Sequence, residues 1–154
     1  MNLGEWCADL AKLVANSLTE YRSQANDAME LFAVDCAPWN GVIALAFLTM
    51  PELKAAPFLS EVAEMAAWKA YDFGAGLGSW QPLAFDLGSR MRAEYESAGE
   101  RRSVVAGQFL RTCAVAVASE MVQAAFSTYR LGENFRITIR HPDTDEEYYP
   151  PKVP

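Results

Sequence analysis

The chain has 154 residues, a formal net charge of −7 at pH 7 and a hydrophobic content of 51%. This length and composition predict a single globular domain over residues 1–154, with a proline-rich tail near 150–154. The excess of 20 acidic over 13 basic residues argues against a nucleic-acid surface, because phosphate binding depends on clustered Lys and Arg.

The N-terminal segment predicts an amphipathic helix over residues 3–24. Its apolar residues recur with the spacing of one helical face: Leu3, Trp6, Leu10, Leu13, Val14, Leu18 and Tyr21. Glu5 and Asp9 interrupt this segment and no basic region precedes it, so it does not resemble a secretory signal. We therefore expect a cytoplasmic protein.

Residues 30–49 predict a β-hairpin, which we take as the centre of the fold. Two apolar runs, near 30–35 and 42–48, are rich in residues that favour strands. The connection Ala37-Pro38-Trp39-Asn40-Gly41 contains Pro and Asn-Gly, which are typical of a hairpin turn. A hairpin this apolar requires cover on at least one face.

The next fifty residues predict a loop, two helices and a glycine-rich connection. Pro51 and Pro57 exclude a continuous helix, after which helical spacing resumes over residues 58–72 and again over 83–97. Three alternate glycines at 74, 76 and 78 resemble a nucleotide-binding loop. Because a helix rather than a strand is predicted before them, we interpret them as a flexible connection.

The C-terminal third predicts a long helix followed by strands. Residues 103–130 are apolar on almost every side, but Arg111 and Glu120 argue against a membrane span, so we expect a buried central helix that ends at Leu131-Gly132. Residues 135–140 alternate as in a strand, and 146–149 predict a short edge strand. The resulting fold class is α+β, with a small, mostly antiparallel sheet of about four strands packed by about four helices.

Candidate site residues are few. Asp35, Cys36, Trp39 and Asn40 bring an acid, a thiol, an indole and an amide to one hairpin corner, which can be interpreted as a binding site. We favour the structural interpretation, in which Asp35 and Asn40 bond the turn backbone and Trp39 packs over a sheet edge.

The sequence contains no catalytic or metal-binding motif that we recognise. The one histidine, His141, lies beside Pro142 in a turn, where a solvated role is more common than a catalytic one. The three cysteines are widely separated and lack a C-x-x-C spacing, which predicts reduced thiols rather than disulfides or a zinc site. We predict no cofactor, no metal and no catalytic residue.

The run Asp-Cys-Ala-Pro-Trp-Asn-Gly at residues 35–41, followed by Val-Ile-Ala-Leu in a small acidic domain, resembles single-domain immunity proteins of bacterial toxin systems and related uncharacterised bacterial domains. The resemblance covers about the first third of the chain. It implies a cytoplasmic protein that acts by binding another protein, and it assigns no individual residue.

The leading hypothesis for function is therefore a non-enzymatic protein-binding domain with a basic partner, neither nucleic acid nor membrane. The alternative is a small enzyme or ligand-binding domain that uses the corner of Asp35, Cys36 and Trp39, with the glycines at 74–78 as a lid. A third possibility is a homo-oligomer that pairs through residues 146–149.

Overall fold

A three-stranded mixed sheet lies at the centre of this α+β fold, which the computed structural model describes over residues 1–152; the last two residues of the predicted tail lie outside them. The helices are α1 Leu3–Tyr21, α2 Met50–Ala55, α3 Leu83–Ser97, α4 Arg102–Val117 and α5 Glu120–Phe126. The strands are β1 Met29–Ala37, β2 Val42–Thr49 and β3 Leu131–Thr138, in the order β2-β1-β3. Short 3-10 turns lie at Arg22–Gln24, Pro57–Ser60, Val62–Ala67, Phe73–Gly76 and Gly99–Arg101.

The hairpin of β1 and β2 forms as predicted. The two strands pair antiparallel, from Met29 opposite Thr49 to Ala37 opposite Val42. The turn is closed by the amide of Asn40, which donates to the carbonyl of Ala37 over 3.1 Å, and Gly41 adopts a φ of 65°. This left-handed conformation favours glycine, which explains the Asn-Gly sequence.

The third strand corrects the predicted sheet. β3 begins earlier than residues 135–140 and runs parallel to β1, so the sheet has three strands and is not mostly antiparallel. The helices between β2 and β3 return the chain to the end of the sheet where β1 begins, which sets the parallel direction. Residues 146–149 form no strand, and only one bridge joins Glu147 to Arg140 before two prolines interrupt further pairing.

A bulge at the start of β1 accommodates a buried carboxylate. The pairing register shifts between Met29 and Leu31, and Glu30 between them is only 6% exposed. Its Oε2 atom has no hydrogen-bond partner among residues 1–152 and lies where a Cβ of Gly132 would have to be. Gly132 therefore belongs to β3, where the close approach requires glycine, and does not end the preceding helix.

One face of the sheet carries the main core under α1, α3, α4 and α5. The structure confirms the predicted helices at residues 3–24 and 83–97, the first of which ends in a 3-10 turn. The helix predicted over 103–130 is wrong as a single element, because α4 and α5 are separate. Ser119 caps α5 by accepting from the amide of Val122, and this new start redirects the chain.

Not one of the helices within residues 1–152 alone has both the length and the apolar character to cross a membrane. The segments 99–117 and 120–126 meet those requirements only as a pair that is bent by 60°.

The opposite face of the sheet, here called the minor face, is covered by residues 50–71. The helix predicted over 58–72 does not form, and 3-10 turns replace it. The indole nitrogen of Trp68 donates to the carbonyl of Leu59 over 2.8 Å, an acceptor that a continuous α-helix would use for the amide four residues on. Packing of these two side chains on Leu31 and Leu48 therefore overrides the helical pattern of the sequence.

Candidate functional site

The structure places the four predicted site residues in different surroundings. Successive strand residues point to opposite faces, so Asp35 faces the minor face whereas Cys36 is fully buried in the main core. Trp39 is half-buried at the hairpin end, and Asn40 is exposed in the turn. A single pocket that uses Asp35, Cys36 and Trp39 together is therefore not formed.

Cys36 belongs to a sulfur-rich part of the core. Its Sγ lies 3.5 Å from the Sδ of Met91, and Cys113 and Cys7 are close enough to influence each other's titration. A hydrogen bond with Cys36, followed by burial, raises the pKa of Cys113 well above its ordinary value, and burial raises the pKa of Cys7. All three are free thiols, and the raised pKa values favour the protonated, less reactive forms of Cys7 and Cys113.

No group of three or more His, Cys, Asp or Glu side chains within residues 1–152 has an arrangement that could hold a metal ion. The convergence of the three cysteines could not be expected from their spacing. It follows from α1, β1 and α4 packing in one core.

Trp39 contributes to an open surface that we call the hairpin-end groove. Its ring lies 5.5 Å from the ring of His141 and 6.2 Å from that of Tyr95, measured between centroids. The groove has a volume of about 520 Å³. It is lined by Trp39, Tyr95, Glu100, Arg102, Ser103, Ala106, His141, Asp143 and Thr144.

Two glycines fix the position of this groove. Gly41 in the turn and Gly88 in α3 are in direct backbone contact, and a Cβ on Gly41 would lie 2.8 Å from the carbonyl oxygen of Gly88. The hairpin end therefore rests on the backbone of α3. The same helix supplies Tyr95, which lies about two turns after Gly88 on the same face. This contact holds Trp39 beside Tyr95.

Two of the three charged side chains that line the groove are acidic. Glu100 and Asp143 are exposed, and neither carboxylate accepts a hydrogen bond within residues 1–152. The basic group, Arg102, lies with its guanidinium 5.6 Å from the ring centroid of Tyr95 and donates to the carbonyl of Glu96. Aromatic faces beside free carboxylates form a surface that attracts cationic side chains.

His141 is held in place by its own turn. Its Nδ1 accepts a hydrogen bond from the amide of Asp143 over 3.1 Å, which leaves the proton of the neutral ring on Nε2. The ring lines the hairpin-end groove and also a second concavity on the minor face. His141 is therefore packed against Trp39 at a wall between two concave surfaces.

The second concavity, here called the minor-face cleft, has a volume of about 330 Å³. Asp35 lies in it and accepts a hydrogen bond from the hydroxyl of Tyr71 at Oδ2 over 2.7 Å. Burial, this bond and the charges of Asp35 and Asp72 raise the pKa of Tyr71 to about 12. Burial and the charge of Asp35 also raise the pKa of Asp72.

The far end of the cleft is formed by the segment that follows β3. Glu147 accepts bonds there from the hydroxyl of Thr138 over 2.5 Å and from the amide of Ile139 over 2.7 Å. The guanidinium of Arg140 pairs with the same carboxylate over 3.3 Å. Glu147 thus satisfies the end of the strand, a structural role that the predicted edge strand did not suggest.

The glycine-rich segment is partly packed rather than freely flexible. Gly74 is buried, and a Cβ at this position would overlap the ring of Trp80. The segment begins after Asp72, whose φ of 55° is left-handed. Gly76, in contrast, has open space around it.

Comparisons with protein-family models, curated proteins and solved structures gave no match to this chain. Function is therefore inferred from the side chains of the two concave surfaces themselves. Tyr71, Tyr95 and His141 contribute aromatic side chains to these surfaces, and the predicted site did not include them. In the sequence, the one signal for Tyr71 is its position as an aromatic residue shortly before the glycines at 74–78.

Proposed function

We propose that this protein is a non-enzymatic protein-binding domain, and that it recognises a basic segment of its partner at the hairpin-end groove. The observation that carries the proposal is the half-buried Trp39, held against Tyr95 and His141 beside two exposed carboxylates. A Lys or Arg side chain can contact the aromatic faces and pair with Glu100 or Asp143 at the same time.

The position of Trp39 suits an interface residue. Large aromatic side chains with one covered and one open side supply much of the binding energy in protein interfaces. Trp39 is already ordered by its neighbours, so it loses little conformational freedom on binding. The net charge of −7 adds long-range attraction for a basic partner.

The resemblance of residues 35–41 to immunity proteins suggests the kind of partner. In this proposal the partner is a toxin, and binding at the groove neutralises it. A cytoplasmic location is part of the same proposal, because free thiols such as Cys36 and Cys113 are typical of reducing compartments.

The test uses the charges of the groove, since their removal leaves the core unchanged. The double variant Glu100→Gln, Asp143→Asn removes two exposed carboxylates without removing any hydrogen bond that they accept. The matched control, Glu64→Gln, Glu133→Gln, removes two exposed carboxylates outside the groove. Partners captured from lysate by the parent are identified by mass spectrometry, purified and titrated against all three proteins by calorimetry.

We expect the groove variant to weaken binding about tenfold more than the control, since the loss of one charge-assisted contact of about 1.5 kcal/mol corresponds to about a tenfold change in Kd. Binding that weakens equally in the two variants would show a general charge effect and no specific groove. A partner without a basic segment would also contradict the proposal.

A further inference from the structure

The minor-face cleft has the composition of a small-molecule site. Its lining is about equally apolar and polar. The apolar side chains of the walls belong to Ala33, Val62, Ala63, Met65, Ala66 and Pro142. At about 330 Å³ the cleft is at the small end of the range for ligand pockets.

One end of the cleft presents an incompletely used carboxylate. The Oδ2 atom of Asp35 accepts the Tyr71 hydroxyl, whereas no side chain within residues 1–152 donates to Oδ1. An ionised carboxylate can accept several hydrogen bonds, so a donor from a ligand has a place here. Tyr71 also restricts the orientation of the carboxylate, because its hydroxyl fixes one of the two oxygens.

The charges that face Asp35 do not balance it. Burial and the charge of Asp35 raise the pKa of the nearby Asp72, and Asp145 is a second acidic residue in the lining of the cleft. The one fixed positive charge in the lining is Arg140, which is already paired with Glu147. The Nδ1 of His141 accepts a backbone hydrogen bond, so this nitrogen donates no hydrogen bond into the cleft. The cleft therefore has an excess of negative charge and favours a cation.

We propose that the minor-face cleft binds a small organic cation of the primary alkylammonium class. The ammonium group donates to Asp35, and the alkyl chain lies along Ala33, Val62 and Met65. This site adjoins the hairpin-end groove at His141 but does not depend on the function proposed for the groove.

Two other classes of ligand fit the cleft less well. A small anion would meet Asp35 and Asp145 while the guanidinium of Arg140 is already neutralised. A divalent cation prefers several oxygen ligands in one shell, whereas no cluster of three acidic, His or Cys side chains within residues 1–152 has that arrangement. An apolar body with one positive group matches both the walls and the charge.

The experiment compares three probes of equal length: n-butylammonium chloride, n-butanol and sodium butyrate. Each is titrated into the full chain at constant ionic strength, and backbone amide signals are followed by NMR. We expect saturable shifts at Ala33, Asp35 and Ala63 with butylammonium, and weaker binding of the neutral and anionic probes. Equal binding of n-butanol, or butylammonium shifts that do not saturate or lie outside the cleft, would overturn the proposal.

Two variants test which groups bind the probe. Asp35→Asn retains an acceptor for Tyr71 but removes the charge, and we expect it to weaken butylammonium binding about tenfold. Ala66→Leu fills the cleft from an exposed position, whereas Ala67→Leu alters an adjacent exposed residue that is not part of its lining. Binding should weaken in the first of these leucine variants only.

Far-UV circular dichroism of each variant shows whether the fold is retained before titration. An unchanged affinity in a folded Asp35→Asn protein would overturn the proposal. So would equal effects of the two leucine substitutions, because the probe would then not occupy the cleft.

Discussion

Gly88→Ala should destabilise this protein, although alanine is the better helix former. In the interior of a helix, replacement of Gly by Ala ordinarily contributes about 1 kcal/mol of stability. Gly88 lies within α3, but a Cβ there would overlap the carbonyl oxygen of Gly41 and approach its carbon to 3.2 Å. Both contacting groups are backbone, so neither can turn aside as a side chain would.

The size of the effect follows from these opposing contributions. Overpacking a closely packed contact costs about 1 to 3 kcal/mol, and a clash between two backbones belongs in the upper part of that range. After subtraction of the helix preference, we expect a net loss of about 1 to 2 kcal/mol in the free energy of unfolding. The hairpin end must also move away from α3, which displaces Trp39 from Tyr95.

Gly107→Ala provides the matched control. Gly107 is likewise buried within a helix, but a Cβ there would meet its nearest neighbours, Arg111 and Tyr148, at 3.5 Å, an ordinary contact distance. We expect this substitution to raise the free energy of unfolding by about 0.5 to 1 kcal/mol. Urea unfolding followed by far-UV circular dichroism measures both variants. Stabilisation of the Gly88→Ala protein to the same extent would refute the proposed contact between hairpin and helix.

Three further predictions concern titration, thiol reactivity and the C-terminal segment. Burial raises the pKa of Tyr71 to about 12, so the contribution of this group to stability is complete below about pH 10 and is lost as the pH rises towards 12. Tyr71→Phe should therefore reduce the loss of stability at alkaline pH, measured as the midpoint of urea unfolding, and an unchanged pH profile would contradict this prediction. With an aromatic disulfide reagent, Cys7 should react before Cys36 and Cys113, which should react only on unfolding; prompt reaction of all three would show that the core is open. Glu147→Ala should lower the free energy of unfolding by about 1 to 3 kcal/mol, because the carboxylate of Glu147 accepts hydrogen bonds from the end of β3. Amide hydrogen exchange at the end of β3 should accelerate, and a variant as stable as the parent would exclude this role.

The elements predicted correctly are those whose signals are local. The hairpin follows from two apolar runs around Asn40-Gly41, and the turn geometry confirms the reason, since Gly41 has a positive φ. The helices at residues 3–21 and 83–97 follow from apolar spacing alone, and the second ends just before Gly99, whose φ is 57°. In each case the residues that determine the structure are neighbours in sequence.

The wrong elements depend on contacts between distant residues. The spacing of residues 58–72 suits a helix, but Trp68 uses the carbonyl of Leu59 and both side chains pack on the sheet. The break between α4 and α5 occurs at Ser119, which is a helix-capping residue inside an otherwise apolar run. The parallel direction of β3 depends on the path of the four helices α2 to α5, which no local pattern specifies.

Only those features of the candidate site that depend on residues adjacent in sequence could be predicted. Trp39 was expected to be packed, and it is half-buried on Tyr95 and His141, which lie far away in the chain. Asp35 was predicted to bond the backbone of the turn, whereas its observed hydrogen-bond partner is Tyr71, 36 positions further on. Such pairings follow from the fold and have no counterpart in residue spacing.

The two proposed binding surfaces are joined through the segment that follows β3. Asp35 belongs to the cleft because β1 directs it to the minor face, and Trp39 belongs to the groove because the same strand ends just before it. His141 lines both surfaces and is held by its own turn and by the ring of Trp39. A ligand that shifts His141 in the cleft must therefore also change the ring against which Trp39 packs. Any coupling between small-molecule binding and partner binding would have to act through this residue or through β1.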